Sequence, residues 1–371
     1  MTKNDYREEL DTPAVLVDLT VLKENIAAMA AFAQKHGLKL RPHVKSHKTR
    51  EIAELQLAAG ATGLTVAKLD EAEAMVAAGF KDILIAYELI GEVKLRRLLD
   101  LTRRAYLSVL IDSEIGARQL SAAAASQGLE IPCLIEIDSG LGRTGVRPGQ
   151  PAVELARAVK SLPGLKLTGL LTHAGHAYGA KNQTELNRIA QFEAESLLQT
   201  ARLLEEEGWS GLALSVGSTP TVRISGTFPG ITEIRPGNYV FNDATQIALG
   251  VAREEECALT VLTTVISRPA PDRAVVDAGA KTLALDRGAH GTALLNGYGL
   301  VKNHPEYMIE RLSEEHGILA LPPNSPLQVG DRLEVIPNHA CPVVNLTDYL
   351  YIVEQGKVTG QWRVIARGGV R

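Results

Sequence analysis

At 371 residues, 45% hydrophobic and 22% charged, the chain is long enough for two domains, or for one barrel with an appendage, around a large core. A net charge of -4 gives no reason to expect nucleic acid as a partner, and no apolar run is long enough to cross a bilayer. Cys133, Cys257 and Cys341 are too few and too scattered for a disulfide framework, and Met1-Thr2-Lys3-Asn4-Asp5-Tyr6 lacks the apolar stretch of a secretory leader, so the expected home is the cytoplasm.

After Thr12-Pro13 the run 14–18 reads as a short buried strand, and 21–36 carries apolar residues at helical spacing with Gly37 as a stop. From there strand and helix alternate. Strands are expected at 38–44, 63–66, 82–86, 107–111, 133–137, 167–172, 212–216 and 233–235. Helices are expected between them at 49–59, 70–78, 92–101, 114–127, 152–161 and 185–207, with a short one after Pro220. Eight short apolar strands alternating with helices predict an α/β fold built on a closed parallel (β/α)8 barrel, or failing that an open doubly wound sheet. Near residue 245 the pattern changes to alternating, β-branched runs at 259–266, 273–277, 332–336 and 350–353. The last of these pairs with 358–365 across the turn Glu354-Gln355-Gly356-Lys357, and no helix of any length is evident there. The expected organisation is a barrel over 12–245 and an antiparallel β domain over 246–371, which residues 1–11 are free to join.

Arg41-Pro42-His43-Val44-Lys45-Ser46-His47-Lys48 crowds cations between the first barrel strand and the next helix. If the strand runs to Lys45, alternation puts Arg41, His43 and Lys45 on one face. Like charge disfavours the ammonium form of a lysine, and a neutral amine attacks carbonyls, which is what a Schiff-base lysine needs. A solvated basic turn presents the same residues. Barrel enzymes place their chemistry at the C-terminal ends of strands. His173 and His176 follow the sixth strand, Gly217-Ser218-Thr219-Pro220 the seventh, and Arg235-Pro236-Gly237-Asn238-Tyr239 the eighth. Loops after strands seven and eight are a recurrent phosphate site in barrels, although a plain helix N-cap also reads Gly-Ser-Thr. In the β domain, an extended Pro337-Asn338-His339-Ala340-Cys341-Pro342 projects His339 and Cys341 to one side, half of a metal site whose other ligands would be water and substrate. A buried cysteine beside a packed histidine is the plainer reading of that pair.

Arg-Pro-His-x-Lys-Ser-His-Lys near the N-terminus and Pro-Asn-His-x-Cys near the C-terminus resemble the motifs of the D-threonine aldolase and D-serine dehydratase family, of the alanine-racemase-like fold type. The resemblance spans nearly the whole chain. It implies pyridoxal 5'-phosphate on Lys45 and a divalent metal (Mn, Mg or Zn) at His339 and Cys341. His43 and Tyr178 join Lys45 as catalytic candidates. Gly217, Ser218, Thr219, Gly237, Asn238 and Tyr239 become cofactor contacts, and Arg143 and Tyr178 lie near the ring. The implied activity is a lyase cleaving D-3-hydroxy-amino acids such as D-threonine to glycine and an aldehyde, with a D-serine or D-threo-3-hydroxyaspartate dehydratase as the alternative. A racemase would leave the metal pair without a task, and a small cofactor-carrying barrel would have no β domain. The implied partners are a small D-amino acid and a second copy of the chain, since a metal pair in the β domain has to serve a lysine in the barrel.

Overall fold

The computed structural model describes residues 5–371; Met1 to Asn4, the polar start read above against a leader, lie outside the described residues. The chain divides into two compact units. One holds Met29–Lys45, Ala53–Gly237 and Gly369–Arg371; the other holds the chain up to Ala28, Ser46–Ile52 and Asn238–Gly368.

The first strand, β1 (Ala14–Asp18), belongs to the second unit. Then come the barrel strands β2 (Lys39–Leu40), β3 (Leu64–Val66), β4 (Asp82–Glu88), β5 (Tyr106–Ile111), β6 (Ile131–Ile137), β7 (Leu165–Thr172), β8 (Ala213–Val216) and β9 (Glu233–Ile234). They pair in the order β2-β9-β8-β7-β6-β5-β4-β3, every pair parallel. The remaining gap is closed by a ladder in which Thr62 N–H donates to Leu40 O and Thr65 N–H to Pro42 O, both at 2.8 Å, with a parallel bridge between His43 and Thr65. The sheet is therefore a barrel, not an open doubly wound sheet. Its interior is floored by Leu84, Leu110, Leu134 and Leu171. Two residues further along β5, β6 and β7, alternation brings Asp112, Glu136 and His173 to the same inward face at the C-terminal rim. The helices fall where apolar periodicity puts them. Gln150–Lys160, for instance, buries Ala152, Val153, Leu155, Ala156 and Val159 and has Pro151 in its first turn, where the missing N–H costs nothing.

The second unit is built on β10 (Leu259–Ala270), β11 (Arg273–Val276), β12 (Leu300–Val301), β13 (Met308–Leu312), β14 (Gly317–Ala320), β15 (Arg332–Ile336), β16 (Tyr349–Glu354) and β17 (Lys357–Arg363). With β1 they form a nine-stranded sheet ordered β11-β14-β13-β12-β15-β10-β1-β16-β17, and a further β11–β10 pairing closes six of the strands into a ring. β1 runs antiparallel to β10 and parallel to β16, so residues 14–18, expected with the barrel, lie in this sheet. The β16–β17 turn is the predicted hairpin. Glu354 faces Lys357, and Gln355 (φ 51°) and Gly356 (φ 75°) take the left-handed conformation that a tight two-residue turn demands. The expectation of no helix is corrected by Ala340–Leu346, seven residues long.

Candidate active site

The strand expected to reach Lys45 stops at Leu40, and Lys45 rides on a 3-10 turn, Val44–Ser46. Pro42 has no N–H, but its carbonyl still takes Thr65 N–H and His43 N–H still goes to Pro236 O, so the chain leaves the ladder only after His43, where the 3-10 turn begins. Strand alternation therefore does not extend to Lys45. The Arg41 guanidinium is spent on Glu233 (3.0 Å) and Asp82 (2.6 Å), tying β9 and β4 to the start of the motif. His43 does stay with Lys45, because its Nδ1 accepts the Lys45 backbone N–H at 3.3 Å. Burial first, then the positive charges of Lys45, Arg235, His173 and Arg143, hold its pKa well below the ordinary histidine value. The expectation from the motif concerned the Lys45 amine; here it is the His43 imidazole that burial and neighbouring cations keep neutral.

The other rim residues come from the strand ends. His173 Nδ1 donates to the carbonyl of Gly217 at 2.5 Å, which leaves Nε2 as its second nitrogen. Arg143 sits in the loop after β6, half-exposed, 3.6 Å from the buried Glu136 carboxylate, to which the Thr144 hydroxyl also donates at 2.9 Å. That loop is folded by Asp138, whose Oδ1 accepts the N–H groups of Gly140 and Gly142. Gly140 has φ +113°, and a Cβ there would stand 3.3 Å from the His176 ring. Tyr178 is buried in the turn Gly175–Gly179.

In the loop after β8, Gly217 is not a free phosphate donor. Its N–H goes to Glu193 at 3.2 Å and its carbonyl to His173, and a Cβ would meet Arg235 at 3.1 Å. The next two residues are different. Ser218 Oγ and Thr219 Oγ1 are buried and have no hydrogen-bond partner, a condition rare enough for buried hydroxyls to need a reason. Arg235, which sequence reasoning quoted without giving it a role, is buried at the end of β9 and donates to Ser215 Oγ and Thr172 O, each at 2.6 Å. Burial lowers its pKa to about 10 against the pull of Glu233, Glu193 and Glu136, so it stays charged at neutral pH. An arginine closing a barrel strand before Pro-Gly was the available signal. Gly237 follows it, buried.

In the second unit, Asn238 gives one N–H of its Nδ2 to Asp243 at 2.6 Å, and Tyr239 is buried. His339 and Cys341 meet by a different geometry from the extended one expected. His339 is the extended residue that caps Ala340–Leu346, and Cys341 lies in that helix's first turn. Pro342, inside the same turn, is what made the segment read as non-helical, although a first turn tolerates proline. His339 Nδ1 pairs with Asp286 Oδ2 at 2.8 Å, leaving Nε2 for another ligand. Burial pulls the His339 pKa down. The charge of Cys341, the bond to Asp286, the contact with Cys341 and the charge of Asp243 outweigh it and push the imidazole up to about 10. Such a site favours a positive charge. Asp286 stands 53 positions from His339 and carried no local signal. Among the described residues, no group of three or more His, Cys, Asp or Glu side chains is arranged to hold a metal.

A parallel barrel with a lysine at its rim, followed by an antiparallel β domain, is the architecture of the alanine-racemase-like enzymes. The family model "Alanine racemase, N-terminal domain" matches residues 17–245, and "Putative serine dehydratase domain" matches 258–353. A D-threonine aldolase of Arthrobacter sp is 34% identical over 98% of this chain and 94% of its own. A D-threo-3-hydroxyaspartate dehydratase of a Delftia species is 38% identical over 90% and 91%. The crystal structure of D-threonine aldolase from Filomicrobium marinum superposes with a TM-score of 0.91 at 35% identity, over 98% of this chain and 97% of that one. This chain belongs to the D-threonine aldolase and D-serine dehydratase family.

Proposed function

We propose that the chain is a pyridoxal-phosphate- and divalent-metal-dependent lyase that cleaves D-3-hydroxy-amino acids such as D-threonine to glycine and an aldehyde. The observation that carries the reading is the His339–Cys341 pair braced by Asp286 in a chain of alanine-racemase architecture, because a racemase has no use for it. The barrel residues fit the cofactor. Lys45 is the amine to hold its aldehyde, and the buried, unpartnered Ser218 and Thr219 hydroxyls suit a phosphate. Gly237 and the Asn238 and Tyr239 backbone would complete that cradle, with Arg143, Tyr178 and Arg235 toward the ring. Pyridoxal phosphate, when bound, supplies an electron sink conjugated with the substrate's Cα.

The chain's own residues do the rest. His43, kept neutral, accepts the Lys45 backbone N–H and pins the turn that carries the amine. With the cofactor held, the Lys45 amine would be the base and acid for a proton at the substrate's Cα. His339 Nε2 and Cys341 Sγ would hold manganese, magnesium or zinc as a Lewis acid for the β-hydroxyl, and Asp286 orients the imidazole for it. A metal held there would acidify the β-hydroxyl, whose proton would pass to water, and its loss would favour Cα–Cβ cleavage.

The dehydratase alternative is favoured by Cys341 itself, since a soft thiolate suits zinc, which assists departure of hydroxide. Product identification separates the two. Purified protein given pyridoxal phosphate, Mn2+ and D-threonine is expected to yield glycine and acetaldehyde, and Lys45→Ala to yield neither. 2-Oxobutyrate and ammonia as main products would replace the aldolase reading with the dehydratase one. No disulfide joins Cys133, Cys257 and Cys341, which supports a reducing cytoplasm, and the assembly we propose is a homodimer.

A further inference from the structure

The helix Gln183–Glu206 buries a stripe that includes Ile189, Ala190, Ala194 and Leu197, and in the middle of that stripe stands Glu193, with no exposed surface. A lone carboxylate there would be costly to desolvate, but this one is met by donors from two loops. Its Oε1 accepts Gly217 N–H at 3.2 Å and Ala174 N–H at 3.4 Å, and its Oε2 accepts the Thr221 hydroxyl at 2.7 Å. Burial pushes its pKa up, while the Thr221, Ser225 and Gly217 donors and the charge of Arg235 pull it back. The two N–H partners can only donate, so Oε1 is held as an acceptor.

These bonds bracket one short turn. Gly217 is fixed on one side by Glu193 and on the other by His173, and Thr221, two positions past the last unpartnered hydroxyl, is fixed by Glu193 again. Between the two anchors lie Ser218 and Thr219, whose hydroxyls are buried and unspent. Resting on the cofactor reading above, we propose that Glu193 is a positioning residue for phosphate binding: by drawing the Gly217 N–H and the Thr221 hydroxyl onto itself, it sets the turn that presents Ser218 and Thr219 to the phosphate monoester of the cofactor. Glutamine in its place keeps the shape and an acceptor for the two N–H groups, but sets an NH2 against the Thr221 hydroxyl, which has to turn from donor to acceptor and gives up its bond to a charged oxygen, so the turn loosens.

The test separates phosphate recognition from general support. Full-length protein freed of cofactor is titrated with pyridoxal phosphate and, separately, with pyridoxal, which lacks the phosphate, following the absorbance of the lysine adduct. Wild type should prefer pyridoxal phosphate strongly. Glu193→Gln should lose about tenfold of that preference, as one or two charged hydrogen bonds imply, while its affinity for pyridoxal is unchanged. Thr221→Val should lose part of the preference and Thr221→Ser should keep it, so the inference stays open to test if Glu193→Gln does not fold. An undiminished preference in Glu193→Gln, or equal weakening toward both ligands, overturns the inference and leaves the cofactor reading intact. A wild type that binds pyridoxal as well as pyridoxal phosphate overturns both.

Discussion

Glu88 ends β4 with its Oε1 buried and no donor pointing at it, within hydrogen-bonding reach of the Glu136 carboxyl. Burial first, then the bond and the charge of Glu136, with Asp112 adding to them, push its pKa from 4.5 to about 9. At neutral pH Glu88 therefore holds a proton and donates it to Glu136. Glu136 in turn takes the Thr144 hydroxyl and faces Arg143. The sign of the pH effect follows. Between 4.5 and about 9 the folded chain binds one proton that the unfolded chain does not, so this pair's stability is full below the lower value and is lost as pH rises toward the upper one. Glu88→Gln keeps a donor without needing the proton. Its melting temperature should gain on wild type steadily from pH 5 to pH 9, and a gap independent of pH would show that no proton is shared.

The short helix Ala340–Leu346 and its cap His339 supply both candidate metal ligands, so a metal bound there closes no long loop and adds little to folding. His339→Ala should unfold at nearly the wild-type temperature, retain pyridoxal phosphate and lose lyase activity; collapse of the fold on chelation would refute a purely chemical role. The same element marks where the sequence stopped being readable. The barrel strands β3 to β8 are largely apolar runs long enough to be recognised, since both of their faces are covered, whereas Lys39–Leu40 and Glu233–Ile234 are two residues each; the longer helices have a periodic stripe. Ala340–Leu346 is only two turns long and carries Pro342, so its local pattern pointed to extended chain. β13 and β14 were missed because Met308–Leu312 buries only Ile309 fully and Gly317–Ala320 is four residues long. At the site, Lys45 and His339 were legible because a motif surrounds them, whereas Asp286 depends on a contact 53 positions away. Glu193 was legible in principle. It interrupts the buried stripe of its helix, and a charged residue on an apolar face asks for partners.

For the molecule as a whole, the consequential strand is the first. β1 lies between β10 and β16, with Ala14 opposite Leu262 and Leu16 opposite both Thr260 and Tyr351. Ala14, Leu16, Leu262 and Val353 share one buried cluster. In the sheet order, the β16–β17 hairpin joins the remaining strands through β1 alone. The chain thus begins in the β unit, leaves it to build the barrel, and returns at Asn238, so that sheet is complete only when sequence-distant segments meet. Cutting at the change of pattern, to give residues 246–371, removes the strand that two neighbours need. It leaves the edges of β10 and β16 bare and uncovers the apolar cluster, the condition in which strands pair with other chains. The fragment is expected to bind a hydrophobic dye, to self-associate, and to melt without a cooperative transition by circular dichroism. Joining residues 5–18 to it through a flexible linker should restore a sharp transition, because β1 can then re-enter between its two partners. A fragment 246–371 that melts cooperatively as a monomer would show that the hairpin needs no bridging strand and that the change of pattern near residue 245 is a true boundary.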